Sequence, residues 1–167
     1  MNRRSLSWLA AAVACGAALW AVVRSQAPER PDPLEVCSGN VKRINLAVLL
    51  YAQDHGERYP PATGWDNLVE PYLIGPRDET VWRCPVARSA LGYAMNSAVA
   101  LAPWARFTEM HRTVSILESD TDRRYATGDA RALPALPRHA GADVVGFADG
   151  HVRPVARADL LRMRWSP

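Results

Sequence analysis

Two proline barriers enclose the segment DPLEVCSGNVKRINLAVLLYAQDHG, residues 32–56, which constrains the fold more than any other part of the chain. Cys37, Val41, Ile44, Val48 and Tyr51 recur at alternating steps of four and three, so an α-helix lines them along one face. Ala47, Leu49 and Leu50 broaden that stripe. Asp32 is placed to cap the helix, Pro33 suits its first position, and Glu35 adds negative charge to the first turn. Gly56 is placed to end it, and Pro60-Pro61 forbid its resumption. Such a helix has to cover its apolar face with other structure.

The rest of the chain supplies short elements. A second helix is expected over Trp65–Leu73, limited by Pro71. Leu91–Met95, Thr113–Glu118, Asp143–Ala148 and His151–Val155 read as strands. Val114 and Ile116 alternate with Ser115, as a half-buried strand would. Asp149-Gly150 reads as a hairpin turn, and ARADLLRMRW at 156–165 as a terminal helix. One long helix followed by strands argues for an α+β domain, the helix packed on a small antiparallel sheet.

The N-terminus is a separate object. LSWLAAAVACGAALWAVV, residues 6–23, carries no charge and is long enough, at about 1.5 Å per residue, to cross a thin bilayer as a helix. Three readings stand: an uncleaved anchor, a signal peptide cut near Ser25-Gln26-Ala27, or a lipoprotein signal ending at Cys15. The anchor is the one taken forward. The expected organisation is therefore a membrane helix at 1–24, a proline-rich linker at 25–32 and a globular domain at 33–167. It implies a single-pass protein held to a membrane through residues 6–23, with its domain outside the cytoplasm.

Charge and cysteines refine this reading. Of 20 Lys and Arg, Arg3, Arg4 and Arg24 precede the first acidic residue, Glu29, and the remainder carries 17 of each sign. A neutral domain lacks the electrostatic footprint of a nucleic-acid binder. Outside Cys15 there are two cysteines, Cys37 and Cys84, without CxxC spacing. In an oxidising compartment they are expected to pair as a disulfide.

The candidate chemistry centres on RHAGADVVGFADGH, residues 138–151. If Asp149-Gly150 turns a hairpin beside the strand VSILESD, then Glu118, Asp120, His139, Asp149 and His151 converge as a mixed oxygen and nitrogen metal site. The alternative is structural: His139 bonds to its turn and Asp149 caps its own hairpin. No nucleophile elbow and no glycine-rich phosphate loop occur in the sequence, so no catalytic residue is expected. Trp65, Trp82, Trp104 and Trp165 suit core packing better than ligand stacking. Arg123-Arg124, beside Asp120 and Asp122, reads as a solvated turn with local pairing.

Three stretches carry a resemblance. CSGNVKRINLAVLLYAQDHGERYPP at 37–61 resembles the helix-to-loop segment of bacterial pseudopilins, the filament-like proteins of type II secretion. WRCPVARSALGYAMN and RHAGADVVGFADGH are similar to a pseudopilin-related envelope family whose C-terminal signature is His, nine residues, then Asp-Gly. Here these are His139, Asp149 and Gly150. The resemblance implies a structural, assembly or binding role with a secretion-system or other envelope partner, and no catalysis. It makes the membrane of the expected anchor the bacterial inner membrane, and it favours calcium over zinc as the ion at the candidate site. Alternatives of other classes are a small metal-dependent hydrolase and a purely structural domain without ligand. The sequence departs from the family at its start: the Gly-Phe-Thr-Leu-x-Glu processing motif and its glutamate are lacking.

Overall fold

A computed structural model describes residue 20 and residues 31–75, 79–87, 91–121 and 123–167. A compact unit runs from Asp32 to Pro167. Its first element, α1 (Pro33–Asp54), begins as the sequence dictates: the Asp32 side chain accepts a hydrogen bond from the Leu34 N–H at 2.9 Å. Cys37, Val41, Ile44, Val48 and Tyr51 are all buried, together with Ala47, Asn40 and Asn45. Fully burying each large aliphatic side chain contributes about 1.5–3 kcal/mol before chain entropy is charged against it.

The expected second helix splits. α2 covers Trp65–Val69, and a 3-10 turn follows over Glu70–Tyr72 with Pro71 inside it. The strands are β1 (Tyr93–Asn96), β2 (Val114–Glu118), β3 (Thr127–Gly128), β4 (Ala142–Phe147) and β5 (Val152–Ala156). The expected terminal helix shrinks to one turn, α3 (Arg157–Leu160).

These strands form one sheet in the order β3-β1-β2-β4-β5, and it is mixed, which corrects the expected small antiparallel sheet. β1, β2, β4 and β5 are antiparallel neighbours, but β3 runs parallel to β1, with Met95 opposite Thr127. The reason is positional. The loop after β2 reverses the chain, β4 already occupies the free edge of β2, and the returning segment pairs beyond β1 instead.

A second correction concerns burial. β2 is buried on both faces, not half-buried. α1 covers one face, meeting Tyr93, Met95, Ile116, Val144 and Ala148. Leu133, Leu160, Met163 and Trp165 pack on the other, against Leu117, Val145 and Phe147. A register shift between Val114 and Ile116 places Ser115 and Ile116 together on the helix side, as a bulge does.

The membrane expectation is also corrected. Among the described residues no helix is long and apolar enough to cross a membrane, so a single-pass inner-membrane protein is not supported. The expected span at 6–23 lies outside the described residues except for Trp20, as does most of the linker at 25–32.

Candidate functional site

Two tight turns bound β4, and they part the five candidate residues into two groups. At the entry, Ala140 and Gly141 both take positive φ, +52° and +93°, while His139 and Ala142 exchange backbone hydrogen bonds at 3.0 Å. A two-residue turn of this hand suits the twist of the flanking strands. At the exit, Gly150 adopts φ +97° between Phe147 and His151. The intervening β4 has 6 residues, which at about 3.3 Å each separates the turns by roughly 20 Å.

The entry group is buried. Glu118, at the end of β2 and wholly shielded from solvent, has its two carboxylate oxygens engaged differently. Oε2 accepts the Val144 N–H at 2.9 Å, and Oε1 lies 3.0 Å from His139 Nε2. Burial raises the Glu118 carboxyl above its ordinary range, opposed by the Val144 N–H, His139 and Arg138.

Arg138 organises this end. Its guanidinium donates to Gly92 O at 2.9 Å, Ser119 O at 2.6 Å and Asp120 Oδ1 at 2.6 Å. It stands 3.9 Å from Glu118 Oε1. Asp120 is therefore the outer partner of Arg138. Behind the imidazole lies the disulfide: Cys37 and Cys84 are bonded, with Cα atoms 5.4 Å apart, and His139 Nε2 is 3.9 Å from Cys84 Sγ.

The exit group is local. Asp149 Oδ1 accepts from the His151 backbone N–H at 3.2 Å and lies 2.6 Å from His151 Nδ1. The His151 ring stacks on Phe147 at 4.2 Å between centroids. Glu118, Asp120 and His139 thus share one end of β4 with Arg138, and Asp149 and His151 share the other. The His139 and Asp149-Gly150 signature marks the two ends of a single strand.

No protein-family model, curated protein or solved structure matches this chain. The pseudopilin resemblance therefore rests on the spaced residues alone.

Sequence reasoning missed Arg138 and misplaced Arg124. Arg138 sits beside the signature histidine, but nothing in its neighbours marks it as buried. Arg124 pairs with carboxylates distant in the chain: Asp66 at 3.2 Å, Glu70 at 3.4 Å and Glu79 at 3.3 Å. It also stands over the ring of Trp82, which packs edge-on against Trp65 in the core. Trp104 and Trp165 are half-buried.

The separation of the two groups gives a direct expectation. His139→Ala, which strands a buried carboxylate, should lower the unfolding free energy by about 2 kcal/mol, and Asp149→Ala, which uncaps an exposed turn, by about 1 kcal/mol. Their effects should add within about 0.5 kcal/mol in urea unfolding, with or without calcium. Strong non-additivity that appears only with calcium would instead join them in one site.

Proposed function

We propose that the Asp32–Pro167 unit is a structural, non-catalytic domain of pseudopilin type that acts by contact with a protein partner of the secretion or envelope machinery. The observation that carries this reading is an apolar rim beside the buried cluster. Leu136 is 68% exposed and Val86 42% exposed. With Pro134, Pro137, Asp120 and Arg138 they line a hollow of 240 Å3. Prolines fix the rim backbone, and Arg138 ties its base to Gly92 and Ser119. Apolar rim side chains on a backbone held by prolines lose little entropy when a partner covers them. Support also comes from the signature side chains, which are engaged within the fold: His139 with Glu118, and Asp149 with His151 across its own turn.

The reading is tested by placing a photo-reactive amino acid at Leu136 and, as control, at Leu161 on the short α3 end. In cells that make the chain natively, Leu136 should yield one discrete adduct with a pilin-type or secretion-system protein. Leu136→Asp should abolish partner binding while leaving the melting temperature within about 1 °C, as exposed substitutions do. Equal labelling from both positions, or metal-dependent hydrolysis by the purified chain, would overturn it.

A further inference from the structure

The disulfide, the imidazole and the carboxylate at the entry to β4 come from four separate segments: Cys37 from α1, Cys84 from the loop before β1, Glu118 from β2 and His139 from the turn. One donor atom from each, two Sγ, a histidine nitrogen and a carboxylate oxygen, all lie within 4.8 Å of one another. We propose that the chain binds one zinc-type cation here when the Cys37–Cys84 bridge is reduced, through both sulfurs, His139 Nε2 and Glu118 Oε1.

The distances favour it. A tetrahedral zinc ion with bonds of about 2.3 Å to sulfur and about 2.0–2.1 Å to nitrogen or oxygen spaces its donors by roughly 3.3–3.8 Å. His139 Nε2 already stands 3.9 Å from Cys84 Sγ and 3.0 Å from Glu118 Oε1. Those atoms need shift only by tenths of an ångström. The two sulfurs must part to about 3.8 Å, which rotation about the cysteine side-chain bonds can supply.

The surroundings fit as well. Glu118 Oε2 is fixed by the Val144 N–H, which leaves Oε1 turned toward the cluster, the kind of outer hydrogen bond that orients a metal ligand. A zinc ion with two thiolates and one carboxylate carries a net single negative charge. Arg138, 3.9 Å from Oε1, supplies the opposing positive charge while also holding Asp120 at the surface. All four ligands are shielded from solvent, as in closed structural zinc sites. Two thiolates and an imidazole select zinc over calcium, which takes oxygen donors. A hollow of 300 Å3 lined by Asp32, Leu34, Val86, Arg138 and His139 gives the ion a path to the imidazole.

The redox step balances with a dithiol as reductant. Two electrons and two protons pass from the dithiol to Cys37 and Cys84, their S–S bond breaks, and the dithiol closes to its own disulfide. Zinc then displaces both thiol protons to water. A disulfide oxidant takes two electrons from the thiolates and two protons from water to become a dithiol, the Cys37–Cys84 bond re-forms, and the metal, left with only His139 and Glu118 as donors, is released. The same four groups thus hold either a covalent bond or an ion.

The test uses the full chain, reduced anaerobically with a dithiol that is then removed, and titrated with cobalt(II). One equivalent should produce thiolate-to-cobalt charge-transfer absorption and the strong visible bands of a tetrahedral ion, both abolished by added zinc. The oxidised chain should show neither, and His139→Ala should weaken cobalt binding about ten-fold or more. A reduced chain without charge-transfer absorption, or a His139→Ala chain that binds cobalt as tightly as its parent, overturns the proposal. Should the reduced, metal-free chain lose its native circular dichroism, restoration by zinc supports the site and failure to restore it counts against it.

Discussion

Replacing Cys37 and Cys84 together by alanine is expected to lower the unfolding free energy by about 4 kcal/mol. The bridge joins residues 47 positions apart. Closing a loop of that length removes about 14 cal/mol/K of entropy from the unfolded chain, which is roughly 4 kcal/mol at room temperature. The effect should appear as a fall of roughly 10 °C in melting temperature and a larger urea m-value, because the unlinked chain expands further on unfolding. The substitution also removes sulfurs buried between α1 and the loop before β1, so the loss should not fall below the entropic figure by much. A change of less than about 1 kcal/mol, with an unaltered m-value, would mean that the bridge does not restrain the unfolded ensemble.

Asn45→Ala should cost about 3 kcal/mol, and the reason lies where α1 crosses the sheet. Asn45 is fully buried. Its amide donates to Phe147 O at 2.9 Å, and its oxygen accepts the Ser115 hydroxyl at 2.7 Å. Truncation leaves the Ser115 hydroxyl without that acceptor and removes one of the donors to Phe147 O, where the Asn45 and Ser115 side chains are both fully buried. Gly146 faces the same amide so closely that an added Cβ would fall 2.8 Å from Asn45 Cγ. Gly146→Ala should therefore destabilise by about 1–3 kcal/mol through overpacking. The double variant should cost at least about 1 kcal/mol less than the sum, since truncating Asn45 vacates the space that the new methyl takes. Urea unfolding of the four chains completes the cycle; simple additivity would show that helix and strand are not locked at this point.

Much of the scaffold was readable from local patterns. The Asp32 cap, the apolar stripe of α1, the Asp149-Gly150 turn and the Cys37–Cys84 pairing each follow from residues near in sequence or from simple chemistry. What escaped was set by distant partners. β3 has two residues and no apolar pattern; its place comes from backbone pairing with β1 and from the Trp65 indole, which donates to Ala126 O at 3.1 Å. Ser115 reads as the polar side of a strand, yet the bulge at Val114 turns it toward Asn45. For the candidate site, sequence adjacency suggested five residues around one turn, whereas an extended strand carries its ends apart. The two cysteines lacked any metal-ligand spacing, and only the fold brings Glu118 and His139 to their sulfurs.

The Asn45–Phe147 contact spans 102 residues, and this separation has a consequence during synthesis. The helix is translated early, whereas the strand that receives its amide comes late. At about 5–20 residues per second, roughly 5–20 s pass between the two. Until that interval ends, Val41, Ile44 and Val48 lack the β4 part of the sheet that packs against them. A nascent chain of this protein therefore carries an incompletely covered apolar helix face until β4 has emerged.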